Sequence, residues 1–154
     1  KTASLYAAAC ELGARYPGGN QELGARMAEA GRSLGLAFQI IDDCLDLTAR
    51  QEELGKSVGT DVEDGKVTLP VLLTYQAADE GVRAAMRDVY TRPELVDRRA
   101  ALLAVCDVGR GVAQAQARAQ ELVLAAQRSV AELPPSGARR SLESVFAFVL
   151  SRSQ

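Results

Sequence analysis

Apolar residues recur at three- and four-residue intervals along most of this chain and rarely alternate. That period belongs to helices, not strands. It predicts helices over about 1–14, 21–48, 68–78, 79–90, 94–107, 109–132 and 136–151. The punctuation agrees. Tyr16-Pro17-Gly18-Gly19-Asn20 reads as a turn, Thr68 offers an N-cap with Pro70 in the first turn, and Pro134-Pro135 ends the long helix before it. Residues 49–66 are charged, with Gly55, Gly59 and Gly65 close together, and read as irregular. The later helices carry apolar stripes, Val112, Ala115, Ala119, Leu122, Val123 and Ala126 on one, Leu142, Val145, Phe146, Val149 and Leu150 on the other. Within 21–48, the small residues Ala25, Ala28, Gly31 and Gly35 predict another backbone close by, or room for a ligand. Each helical glycine costs about 1 kcal/mol against alanine. The expected class is all-α, in one domain without repeats or linkers.

Composition narrows the chemistry. At 154 residues and 47% apolar content the chain can bury a real core. Eighteen basic against twenty acidic residues, net −2, argue against nucleic acid as a partner. The absence of histidine removes Ser-His-Asp and Cys-His catalysis and imidazole zinc sites. Cys10, Cys44 and Cys106 form no Cys-x-x-Cys and read as buried thiols of a reducing, cytoplasmic compartment. No apolar run nears the roughly 20 residues of a membrane span, so no stable membrane insertion is expected. No signal peptide is visible. Because the chain starts at Lys1, directly in a helical pattern, a preceding segment is expected.

The candidate site lies in Phe38-Gln39-Ile40-Ile41-Asp42-Asp43-Cys44-Leu45-Asp46. On a helix, Asp42 and Asp46 share a face and Asp43 lies beside them. Carboxylates so spaced repel one another, and large aliphatic neighbours imply packing rather than free solvation. A hard divalent cation is the natural counter-charge. Magnesium suits the cluster better than calcium, since no EF-hand spacing is present and magnesium takes one or two carboxylates together with phosphate oxygens. Gln39, one turn before Asp43, can present its amide to the same face.

The chain holds three lysines, Lys1, Lys56 and Lys66, all in its first 66 residues. Lys56 and Lys66 each follow a glycine, a setting suited to phosphate binding, although the Walker spacing is absent. Lys1-Thr2 adds an ammonium and a hydroxyl. Arg110, Arg118, Arg128, Arg139 and Arg140 read as a solvated face. Tyr6, Tyr16, Tyr75, Tyr90, Phe146 and Phe148 read as packing residues.

Together these motifs resemble the trans-isoprenyl diphosphate synthases, the polyprenyl synthetase family. Lys1-Thr2-Ala3 is similar to its Lys-Thr-Ala box, and Phe38 to Asp46 to its second aspartate-rich motif. Gly55-Lys56, Gly59-x-Asp61, Gly65-Lys66 and Thr68-Leu69-Pro70 resemble the tail of that motif in bacterial members. Residues 71–154 fit the family's C-terminal helices only in a general way. The resemblance implies an isoprenoid-synthase helical bundle around a central cavity, of which 1–154 is the C-terminal part. It implies a prenyltransferase of isoprenoid biosynthesis, joining an allylic diphosphate head-to-tail with isopentenyl diphosphate. Asp42, Asp43 and Asp46 would hold Mg2+, Asp42 directly. Lys1, Lys56 and Lys66 would bind the allylic diphosphate, and Thr2 and Gln39 would lie near the ionising carbon.

One departure stands out. The family's first aspartate-rich motif is absent, as are the upstream arginines and lysine that bind isopentenyl diphosphate. The chain alone is therefore expected to be inactive, and to work as a homodimer or with a complementing N-terminal half. A terpene cyclase or squalene-type synthase on the same fold, and a non-catalytic subunit of a heteromeric prenyl synthase, remain as alternatives.

Overall fold

Helices occupy the segments that the apolar period marks. The computed structural model describes residues 1–16, 18–48 and 59–152. In order these contain α1 (Thr2–Arg15), α2 (Gln21–Thr48), α3 (Thr60–Glu63), α4 (Leu69–Ala77), α5 (Glu80–Thr91), α6 (Arg98–Val105), α7 (Gly109–Ala131) and α8 (Gly137–Ser151). No strand occurs among the described residues, so the all-α expectation holds. Helix α3 was not expected, because four residues are too few to display a period. Helix α6 starts four residues later than expected. Asp97 ahead of it takes a left-handed φ of 57°, which breaks the helical run, and caps α6 by accepting from the Ala100 amide at 3.1 Å. Thr68 does stand at the N-cap of α4 with Pro70 in the first turn, but its side chain makes no capping bond.

The described chain forms two compact units, Lys1–Ile41 with Ala117–Gln154, and Asp42–Gln116. The first unit buries Ala7 of α1, then Met27, Ala30, Leu34, Ala37 and Ile41 of α2 at three- and four-residue steps. It adds Ala119, Val123, Ala126 and Val130 of α7 with Phe146 and Val149 of α8. Its glycines serve tight packing. A methyl group on Gly31 would collide with the Tyr6 carbonyl and lie 2.8 Å from Cys10 Sγ, and one on Gly35 would lie 2.7 Å from the Ala3 Cα. Helices α1 and α2 therefore touch backbone to backbone.

The second unit buries Cys44, Leu47, Val62, Val71, Met86, Val89, Leu102, Val108, Val112 and Ala115. Arg98 lies among them, only 9% exposed. Its guanidinium donates to the carbonyls of Val89 (3.2 Å), Glu63 (2.6 Å) and Arg92 (2.9 Å). Those carbonyls lie at or just beyond helix ends, where they lack intrahelical partners.

Two packing expectations need correction. Tyr16 is 92% and Phe148 60% exposed. Tyr16 lies past the last buried turn of α1. Phe148, two residues from buried Phe146, points nearly opposite to it on the helix wheel. Val145 also stays exposed, at the edge of the α8 stripe.

Candidate active site

The first unit brings two sequence motifs together. Lys1 is exposed at the entrance to α1, and Thr2 is its first helical residue. Because the small faces of α1 and α2 meet closely, Thr2 Oγ1 comes within 3.2 Å of Gln39 Oε1 and donates to it. One turn along α1, the Tyr6 ring stacks against Phe38, with centroids 6.2 Å apart. The Arg152 guanidinium caps Phe38, 4.8 Å from its centroid. The Lys-Thr box and the Phe-Gln dipeptide therefore share one patch of surface. The same unit holds an apolar cleft, half open to solvent, of about 620 Å³, lined by Cys10, Met27, Gly31, Leu34, Leu142 and Phe146 among others. None of the described candidate residues lines it.

The second unit holds the acidic cluster. Asp42 is exposed, whereas Asp43 and Asp46 are half-buried, and Ile41, Cys44 and Leu47 beside them are nearly inaccessible. This stretch of α2 is thus packed on one side and open on the other. Burial, reinforced by the neighbouring Asp43 charge, pushes the Cys44 thiol up to about 11. Cys44 is an inert core residue, and among the described residues all three cysteines are free thiols.

Asp46 has a definite set of partners. Its Oδ1 accepts from the amides of Gly59 (3.1 Å) and Thr60 (3.2 Å) and from the Thr60 hydroxyl (3.1 Å), and its Oδ2 accepts from the Asp61 amide (3.0 Å). Lys66 pairs with Asp61 (2.8 Å) and Asp64 (3.1 Å). Its hydrogen bonds to those two carboxylates hold its ammonium well above the usual lysine range, so it stays charged. Lys56 lies outside the described residues. Among the described residues, no three Asp, Glu, His or Cys side chains gather to hold a metal ion.

Sequence reasoning missed Glu63, Arg98 and Arg99. Glu63 accepts from the Arg98 and Arg99 amides through its two carboxylate oxygens, at 3.0 and 2.9 Å. Arg99 Nε donates to the Leu47 carbonyl at 3.0 Å, at the end of the acidic stretch. These partners are thirty-five to fifty-two residues apart, so no local period could announce them. The one usable signal was an Asp-Arg-Arg run opening a helix.

Comparison with known proteins adds a framework to this geometry. A sequence model described as polyprenyl synthetase matches residues 1–105. Component 2 of the heptaprenyl diphosphate synthase from Geobacillus stearothermophilus is 42% identical over 105 residues, which is 68% of this chain and 32% of that protein. A short chain isoprenyl diphosphate synthase from Methanothermobacter thermautotrophicus is 36% identical over 154 residues, 99% of this chain and 46% of the relative. A geranylgeranyl pyrophosphate synthase from Corynebacterium glutamicum, crystallised with calcium and isoprenyl diphosphate, superimposes with a TM-score of 0.82 at 29% identity. That match covers 99% of this chain and 48% of the other. The chain thus spans about half of the length of the relatives that it matches end to end.

Proposed function

This chain belongs to the polyprenyl synthetase family, and from that premise we propose that it supplies the diphosphate-ionising part of a prenyltransferase. The reaction is the head-to-tail condensation of an allylic diphosphate with isopentenyl diphosphate. The observation that carries the reading is the pairing of Thr2 with Gln39, which joins the Lys-Thr box to the helix of the aspartate motif.

Lys1 binds the allylic diphosphate, with Lys56 and Lys66 as further phosphate-binding ammoniums. Lys66 supports this by remaining charged, held by carboxylates that can yield it to a phosphate. Such charges act most strongly on the leaving pyrophosphate, where negative charge grows as the carbon–oxygen bond breaks. The oxygens of Thr2 and Gln39 are of the kind that can stabilise an allylic cation, and their pairing supports a shared role there.

Magnesium fits the donor set in kind. Asp42, Asp43 and Asp46 offer hard carboxylate oxygens, and magnesium needs only one or two of these when phosphate oxygens complete its shell. When bound, it supplies charge neutralisation to the departing pyrophosphate. Asp42 faces solvent with Asp43 beside it, and both belong to the packed segment of α2, which fixes their direction.

The Gly-Lys and Asp-x-x-x-Gly-Lys stretch favours chain elongation over cyclisation. Retention of the aspartates and lysines favours a catalytic portion over a regulatory subunit. The working protein is a homodimer, or pairs this chain with one bearing the first aspartate-rich motif. The free thiols accord with a reducing compartment such as the cytoplasm. Among the described residues, no helix is long and apolar enough to cross a membrane.

A turnover assay with dimethylallyl or geranyl diphosphate, isopentenyl diphosphate and magnesium tests the reading. The chain alone should give no product. The chain joined to the N-terminal portion of a relative should give prenyl diphosphates. Product from the chain alone removes the half-site reading, and none from the joined protein removes prenyl transfer. A cyclic hydrocarbon from farnesyl diphosphate alone would favour a cyclase.

A further inference from the structure

Both oxygens of Asp46 are engaged by the protein itself. Three consecutive amides, Gly59, Thr60 and Asp61, and one hydroxyl converge on this carboxylate. The Gly59 amide also reaches the Asp46 carbonyl, at 2.9 Å. Gly59 is the N-cap residue of α3, with φ at 80°, and has no side chain to cap the helix. Asp46 does that work from another helix.

The far end of α3 is held as firmly. The Glu63 carboxylate receives the first two amides of α6, and its carbonyl receives Arg98 Nη1 at 2.6 Å. Arg99 then returns to the Leu47 carbonyl, one residue beyond Asp46. The circuit runs from the last turn of α2 through α3 to the start of α6 and back. A cation claiming Oδ1 would displace one of its three donors, and one claiming Oδ2 would share that oxygen with the part-buried Asp61 amide.

We propose that Asp46 is a positioning residue, a clasp that fixes the last turn of α2 on α3, with Glu63 and Arg99 completing it and metal–diphosphate contact left to Asp42 and Asp43. This rests on the diphosphate reading above and refines it. The motif then divides its labour, with its first two carboxylates facing the ligand and its third holding the helix that presents them.

Thiol substitution and amide hydrogen exchange test it on the 154-residue chain. A ligating aspartate replaced by cysteine turns preference from hard Mg2+ toward soft Cd2+, measured by calorimetry with inorganic pyrophosphate and compared with the unsubstituted chain. Asp42→Cys should raise the Cd2+ preference about tenfold or more, whereas Asp46→Cys should leave it within about threefold. Without ligand, Asp46→Asn should speed exchange at the Thr60 and Asp61 amides by about tenfold, and Asp42→Asn should not. Should the Asp46 variants fail to fold, Glu63→Gln loosens the far end of α3, with faster exchange at those amides and unchanged metal preference. A Cd2+ shift for Asp46→Cys equal to that for Asp42→Cys, or unaltered exchange in Asp46→Asn, overturns the clasp. If the unsubstituted chain binds no metal–pyrophosphate, the diphosphate reading fails by itself, and the exchange measurement still decides the clasp.

Discussion

Thr2 and Gln39 stand thirty-seven residues apart in the chain and 3.2 Å apart in space, hydroxyl donating to amide oxygen. The contact exists because α1 and α2 meet at glycines. It is exposed, and an exposed neutral hydrogen bond contributes only about 0.5–1 kcal/mol to stability. Its value is therefore to be sought in chemistry.

The first prediction separates those roles. Thr2→Val keeps the shape and removes the hydroxyl. In the chain joined to an N-terminal portion, prenyl transfer should fall about tenfold or more, the scale expected when one stabilising group is lost from a transition state. The melting temperature should move by no more than about 4 °C, since about 0.5–1 kcal/mol is at stake in a chain of this size. Steady-state kinetics beside a thermal melt decide it, and an unchanged rate would remove Thr2 from the site.

Gly31 gives a prediction of the opposite kind. Its missing side chain lets the Tyr6 carbonyl and the Cys10 sulfur lie against the α2 backbone. In a helix interior alanine is otherwise favoured over glycine by about 1 kcal/mol. Here overpacking outweighs that gain, and Gly31→Ala should destabilise the chain by about 1–3 kcal/mol. Gly13, with nothing near its missing side chain, is the control, and Gly13→Ala should be neutral or stabilising. Urea denaturation of both variants gives the comparison.

These residues also show what the sequence could and could not disclose. Of the small residues in α2 that foretold close packing, Gly31 and Gly35 serve it, whereas Ala25 is exposed. The helices followed from period and punctuation because each is a local pattern of burial, whereas α3 is too short to have one. The acidic motif was legible as a cluster, but the engagement of Asp46 by residues 59–61 was not, since it depends on where the chain returns after leaving α2. Arg98 was hidden for the same reason. Nothing in its surroundings marks it as buried, and its partners are carbonyls, which every residue carries.

Arg98 leads to a third prediction. Its side chain supplies three charge-assisted donors to carbonyls at or beyond the ends of α3 and α5. Arg98→Ala takes the charged donor from all three acceptors, leaves the Arg92 carbonyl only the long bond from the Leu95 amide, and opens a cavity, at a cost of about 3–5 kcal/mol. Arg98→Lys keeps the charge but cannot span three divergent acceptors, so it should recover less than half of the loss. Chemical denaturation of both variants measures this. Full recovery by lysine would mean that charge, and not the planar fork, holds the helix ends.

The last prediction concerns pH. Burial and the Asp43 charge hold the folded Cys44 thiol protonated up to about 11, against an ordinary thiol value of 9.0. Between those values the unfolded chain ionises this thiol and the folded chain does not, so the folded state binds more protons. Stability is then complete below about pH 9 and falls as pH rises toward 11, with an upper bound of about 2–3 kcal/mol from this group. Tyr90 titrates in the same direction at higher pH, its hydroxyl pushed up to about 12 by burial. Cys44→Ala isolates the thiol's share. It should lower stability modestly at pH 7.5 through the lost side-chain volume, and it should make the decline between pH 9 and 10.5 shallower, leaving the share that Tyr90 contributes as its hydroxyl ionises in the unfolded chain. Urea midpoints for the two proteins across that range test the assignment. Parallel declines would show that another group governs the alkaline limb and that Cys44 is less deeply enclosed than its 1% exposure indicates.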